Sequence, residues 1–499
     1  MSYLKSLQLS ILQLSVFFFF SMSNNAKQFS LDSVLYQFNG IEPFTIRQAC
    51  EGVQIFGGIG SGKTSGSGAA LAKAYLRAGF GGLVLCAKKD EVETWKRYAA
   101  ETGRSKRLLV FDASGEWRFP FLQYEVDREG EGAGYTENLV RLFTTVYEAM
   151  ERGKGGGGAD PYWTRAMQQL IRNAIDLCMI ARGEVSVPLL YDIVNSAPLN
   201  KEERDSEEWQ KKSLCWKLMI EADKRSKEMS QWEQYDFEST VSFFMEEFCN
   251  LAPKTRSGVV SMFTSMADNF LRRPFRMLFS ESSPKGQNAL PELTHQGIVI
   301  VMNLPVKEFG DAGRAAQVIY KYMWQQSAER RNVNENPLPI FLWVDEAQNF
   351  ATEYDMQFQA TARSSRACTV YLTQNLPNYY AEMGGAHSKY RVDSLVGNLQ
   401  TKIWHANSDP ETNSHAAETI GRSWHKKKGV SVSAGVDNYS AGQSVTESYD
   451  FDVIPQTFTK LRKGSPINDF QVDAIVYQNG RTWSNGKTHI RGIFHQKNN

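Results

Sequence analysis

Residues Gly57-Gly58-Ile59-Gly60-Ser61-Gly62-Lys63-Thr64 fit the spacing G-x-x-x-x-G-K-T. Glycines at these positions let backbone N–H groups turn inward around phosphate oxygens with no Cβ in the way. A helix beginning directly afterwards favours the phosphate charge at its N-terminus. In such a loop Lys63 reaches the β- and γ-phosphates and the Thr64 hydroxyl binds Mg²⁺, so the motif predicts ATP and Mg²⁺, with Gly57 through Ser65 as the cradle. The second candidate is Asp345-Glu346, at the end of the apolar run Ile340–Val344. Asp345 is suited to hold the Mg²⁺ and Glu346 to polarise an attacking water. Gln374 ends the next apolar run and could sense the γ-phosphate or position that water. Between the two runs, Arg363 and Arg366 are candidates to stabilise the transition state in a neighbouring subunit.

The surrounding pattern supplies what these residues need. Gly52–Phe56 reads as a strand before the glycine loop, and Ala69–Leu76 as a helix after it. Gly82–Cys86, Glu91–Glu101 and Leu108–Phe111 continue the strand–helix alternation of a parallel sheet with crossover helices. The pattern breaks at the glycine-rich stretches 129–134 and 153–159. From Pro161 to about Leu278 only helical periodicity appears, over Tyr162–Arg182, Trp209–Arg225 and Phe237–Leu251, with the charged run Lys201–Lys212 read as a solvated loop or helix face. Strands resume at Gly297–Leu304, Ile340–Val344, Thr369–Thr373 and Thr401–Trp404, with a long helix over Gly313–Arg331. The expected organisation is an α/β fold with a mostly parallel central sheet and an inserted all-α unit. Residues 1–28 form an apolar tail or weak membrane anchor, 29–150 the first part of the α/β domain, 151–290 the helical insert and 291–499 the second part. The polar segment 426–449 reads as a loop or weak hairpin.

Composition narrows the class. At 499 residues, 42% hydrophobic and 22% charged, the chain suits two or three soluble globular domains. A net charge of +1 gives no global signature of nucleic-acid binding, although a ring can concentrate basic groups on one surface. The six cysteines are dispersed with no CxxC pair, which argues against zinc or a disulfide framework and suits a reducing, cytoplasmic interior. His405 and His415 are isolated and read as core or solvated residues. Trp324, Trp343, Tyr379 and Tyr380 read as core.

With these residues placed, the chain resembles the TraG/TraD-type coupling ATPases of type IV secretion and conjugation, within the FtsK/HerA superfamily of P-loop motors. The resemblance rests on Gln54–Thr64, Gly82–Cys86, Pro161–Ala166, Ile298–Pro305, Trp343–Phe350, Ala362-Arg363-Ser364 and Leu372–Asn375. It implies a RecA-like P-loop NTPase domain assembled as a homo-hexameric ring with ATP at subunit interfaces and Arg363 offered in trans. It further implies single- or double-stranded DNA as substrate, and relaxase, secretion-channel and inner-membrane partners. The alternative is a nucleotide-gated ring adaptor that recruits a relaxase or effector protein without processive translocation. A metabolic kinase fits the wide separation of the two nucleotide motifs less well.

Overall fold

The computed structural model describes residues 29–151, 161–385, 387–434 and 439–497. The apolar tail and the glycine-rich stretch 153–159 lie outside them. A small antiparallel pair, β1 (Val34–Phe38) and β2 (Glu42–Thr45), precedes the main sheet. That sheet takes β3 (Val53–Phe56), β4 (Gly81–Leu85) and β5 (Leu108–Asp112) from the first part of the chain. It takes β6 (Val299–Asn303), β7 (Ile340–Val344), β8 (Ala367–Thr373) and β9 (Thr401–His405) from the second. A projecting hairpin follows, β10 (Arg422–Ala434) with β11 (Tyr439–Phe451), and then β12 (Gln471–Gln478) and β13 (His489–His495) return to the sheet. The nine strands run in the order β13-β12-β9-β3-β8-β7-β4-β6-β5. Seven pair in parallel, and β12 and β13 add an antiparallel edge.

The centre of the sheet is buried on both faces, which is why its strands read as unbroken apolar runs rather than alternating ones. Along β7 the alternation appears only in which core each residue enters. Phe341 and Trp343 face one core, where Trp95 stacks on Phe341 at 5.7 Å and meets Trp343 edge-on at 5.5 Å. Leu342 and Val344 face the other, with Trp324 from the helix Val306–Arg330. Trp324, Trp343 and Tyr379 are all buried, as a core role requires.

Between β5 and β6 every described element is helical. The sequence periodicity located these helices but not their breaks. The single helix expected over Trp209–Arg225 is two, Glu207–Lys212 and Leu214–Arg225, because Ser213 stands between them in extended conformation. Its hydroxyl accepts from Trp216 N–H as an N-cap and donates to the Ser196 carbonyl. The helix expected from Phe237 begins at Gln231, set by a capping box between Ser230 and Glu233, and ends at Ser242 in a π-turn. The run Lys201–Lys212 forms two short helices, the second laced by Lys211–Glu207 and Lys212–Glu208 pairs. The helix read over Gly313–Arg331 begins at Val306, with Gly310 out of helical conformation inside it.

Of residues 426–449, the described ones, 426–434 and 439–449, belong to the hairpin β10–β11. Trp424 and Tyr449 pair across the ribbon with ring centroids 5.5 Å apart, and Lys426 faces Glu447. No helix among the described residues is long and apolar enough to cross a membrane.

One buried charge in β9 opposes stability. Lys402 is 6% exposed, and its ammonium donates to the Leu399 carbonyl at 2.7 Å with no carboxylate partner among the described residues. Burial lowers its pKa to about 8 from 10.5. A base whose folded pKa is depressed contributes least when charged. Its share of stability is complete above the unfolded pKa and is lost as pH falls through 8. Lys402→Met is therefore expected to raise unfolding stability at pH 7 by about 1–3 kcal/mol, the gain shrinking towards pH 10. Denaturant unfolding of both proteins at the two pH values checks this, and an equal or less stable variant at pH 7 refutes it.

Candidate nucleotide site at the carboxyl edge of the sheet

Because β3, β8, β7 and β4 are parallel neighbours, their carboxyl ends share one edge, where ligands bind in open α/β sheets. Gly57 follows β3, Gln374 follows β8, Asp345-Glu346 follow β7, and Lys88 follows β4.

The glycine loop is anchored at its base by Gly57 N–H on the Thr373 carbonyl and Gly58 N–H on the Ala406 carbonyl. Gly60 and Gly62 have φ of +68° and +86°. At Gly62 the requirement is also steric, since a Cβ there would lie 2.5 Å from Val472 of β12. The backbone N–H groups of Gly60, Gly62, Lys63 and Thr64 meet no protein acceptor among the described residues. Ser61 Oγ is likewise buried and unpartnered, whereas Ile59 at the tip is exposed. The helix expected directly after the loop starts with a π-turn, Thr64–Gly68, before Ala69–Arg77 becomes α-helical. His405 anchors that turn. Its Nδ1 donates to the Asp473 carbonyl at 3.0 Å, which leaves Nε2 to accept from Ser67 Oγ at 2.7 Å. Burial lowers the His405 pKa to about 4, so this neutral tautomer persists at pH 7. Ser65 Oγ accepts from Gln496 Nε2 at 2.7 Å, which ties the end of the chain to the loop.

Asp345 and Glu346 are 7% and 5% exposed. Thr64 Oγ1 donates to Asp345 Oδ2 at 2.7 Å, so the two residues predicted to share a metal are in contact. Glu346 has φ +51°, a left-handed conformation that turns its carboxylate out of line with the strand. Four donors surround that carboxylate. Lys88 Nζ lies 2.8 Å from Oε1, Gln348 Nε2 3.0 Å from Oε2, Gln374 Nε2 3.3 Å from Oε1, and Lys63 Nζ 4.0 Å from Oε1. Burial alone would push the Glu346 pKa up. The Lys88 and Gln348 hydrogen bonds and the two lysine charges outweigh it and bring the pKa to about 2.

The residues present fit a polyphosphate with a divalent cation. Inward N–H groups, the orphaned Ser61 hydroxyl and Lys63 suit the phosphate oxygens, and the hard oxygen donors Thr64 and Asp345 suit Mg²⁺.

Two crystal forms of the bacterial conjugative coupling protein TrwBdeltaN70 superpose on this chain. The unbound monoclinic form does so with a TM-score of 0.59 at 14% identity, covering 95% of this chain and 91% of that one. The chain has the fold of TrwB. Structures of TrwB with ADP and Mg²⁺ and with the non-hydrolysable GTP analogue GDPNP match with TM-scores of 0.57 and 0.54 at 13% and 12% identity. They cover 95% and 96% of this chain and 92% and 94% of theirs. No family model and no curated protein sequence matches the chain. The RecA-like, mostly parallel sheet is thus shared with TrwB although few side chains are.

Arg363 is not part of this cluster. It precedes β8, and a seven-residue strand separates it by about 20 Å from Gln374 at the other end. There it donates to Glu51 Oε1 at 3.2 Å and is largely exposed. Arg366 is committed to structure, donating to the Phe29 and Pro337 carbonyls. Lys88 was missed by the sequence reading. The available signal was a lysine just beyond a buried strand, but only the strand order puts it beside Glu346.

Proposed function

We propose that this chain is an ATP-hydrolysing coupling ATPase that moves or presents DNA in a conjugative or type IV secretion-like system. The observation that carries the reading is the contact of Thr64 with Asp345 beside a glycine loop whose Gly60, Gly62, Lys63 and Thr64 N–H groups meet no protein acceptor among the described residues, with Glu346 alongside. Its fold is that of a protein described as a conjugative coupling protein and crystallised with ADP and Mg²⁺.

Bound ATP and Mg²⁺ supply a polarised terminal phosphoryl group. Lys63 and the N–H groups of Gly60, Gly62, Lys63 and Thr64 would hold the phosphates, with the buried Ser61 hydroxyl and Ser65 alongside. Thr64 and Asp345 would hold the metal. Glu346 orients a water and accepts its proton, and Gln374 fixes that water from the adjacent strand. Arg363 faces away from its own site, so its transition-state role requires a neighbouring subunit in a homo-hexameric ring. Such a ring works in the cytoplasm, at the inner face of the membrane where channel proteins and a relaxase would meet it.

The deciding experiment is phosphate release by the purified chain with and without single- or double-stranded DNA. DNA is expected to stimulate turnover several-fold. Arg363→Ala is expected to lower kcat by about a hundredfold or more with nucleotide affinity retained, and admixture of this variant should poison wild-type assemblies. Turnover indifferent to DNA would favour the adaptor reading instead.

A further inference from the structure

Glu346 Oε1 lies between two ammonium groups that arrive from opposite sides. Lys63 comes from the glycine loop beyond β3, and Lys88 from the end of β4 on the far side of β7. The nearer is Lys88, at 2.8 Å against 4.0 Å for Lys63. The Lys88 backbone is fixed, its N–H donating to Glu91 Oε1 at 3.1 Å one turn ahead. Its side chain is 38% exposed, whereas that of Glu346 is 6% exposed. A fixed backbone carrying a partly solvated four-carbon stem can move its charge without disturbing the fold. The carboxylate it holds would keep Gln348 and Gln374 as donors if Lys88 left.

We propose that Lys88 is a positioning residue that reads the terminal phosphate of the nucleotide. This rests on the glycine-loop reading above. Without a triphosphate Lys88 ties down Glu346. With one, its ammonium moves to the γ-phosphate oxygens, a denser negative charge than a carboxylate. Glu346 is then left to Gln348 and Gln374, free to take a water. A diphosphate does not reach Lys88 and leaves the tie in place. Hydrolysis competence is thereby linked to the third phosphate through one side chain.

The test compares Mg²⁺–ADP with a Mg²⁺-bound non-hydrolysable ATP analogue, binding being measured by calorimetry on the full chain. Lys88→Met is expected to weaken the analogue by about tenfold and ADP hardly at all, with Lys88→Arg restoring most of the difference. Steady-state kinetics should show the same split, with ATP KM raised in Lys88→Met and largely recovered in Lys88→Arg. Equal losses for both nucleotides, or none for either, overturn the proposal. The underlying reading fails separately and visibly, because then the wild type binds neither nucleotide and Lys63→Ala changes nothing.

Discussion

Glu346→Gln is expected to slow ATP turnover by about a thousandfold while ATP still binds. The substitution is nearly isosteric and leaves Thr64, Asp345 and the glycine loop untouched, so phosphate and metal binding should survive. What it removes is the carboxylate surrounded by Lys63, Lys88, Gln348 and Gln374. That carboxylate has a folded pKa of about 2, below the ordinary 4.5, so it is ionised throughout the working pH range. Its contribution to stability is complete above pH 4.5 and is lost only as pH falls towards 2, so acid inactivation above pH 5 cannot originate here. Phosphate-release assays give kcat, and equilibrium binding of labelled ATP shows whether the site still fills. A variant retaining a tenth of wild-type turnover would remove Glu346 from the role of base.

The two nucleotide motifs were legible because each stands at the end of a strand buried on both faces. Val53–Phe56 and Ile340–Val344 are runs that few other environments tolerate. Their loops then carry residue types whose chemistry is local. Lys88 carries no such mark, since a lysine after a strand is ordinarily solvated, and its partner Glu346 is 258 positions away. The strands β12 and β13 were hidden for a related reason. Asp473 interrupts the apolar pattern of β12, and its burial is compensated by Arg462 and Arg491 from elsewhere in the chain. The hairpin β10–β11 projects from the sheet, so neither of its faces needed an apolar stripe. The break at Ser213 was invisible because no glycine or proline marks it: Ser213 itself caps the helix Leu214–Arg225, which packs on the helices Pro161–Arg182 and Val187–Ser196.

The largest stability effect is expected behind the site rather than in it. Lys321 and Asp355 form an ion pair that is 0% and 1% exposed at the side chains. Asp355 also accepts from Gln325 Nε2 at 2.7 Å, from Tyr371 Oη at 2.9 Å and from the Thr352 N–H. Lys321 additionally donates to the Phe350 carbonyl at 2.8 Å. Together these bonds fasten the return of the chain after Glu346, from Ala347 to Asp355, against the helix Val306–Arg330. Burial alone would raise the Asp355 pKa, but the Lys321 charge and the converging donors outweigh it and hold it below the ordinary carboxyl value. Its stabilisation is therefore present above that ordinary value and disappears as pH falls through the depressed one. Asp355→Ala leaves a buried ammonium unpaired and is expected to cost about 3–5 kcal/mol in denaturant unfolding at pH 7. The double substitution Lys321→Met with Asp355→Leu should recover most of that loss, because an apolar pair of similar volume leaves no charge to desolvate. It should not recover turnover, since the Phe350 carbonyl and the Thr352 N–H lose the partners that fix the segment carrying Glu346. A double variant as unstable as Asp355→Ala would mean that the hydrogen bonds to Gln325, Thr352 and Tyr371, rather than the charge pair, hold this layer together.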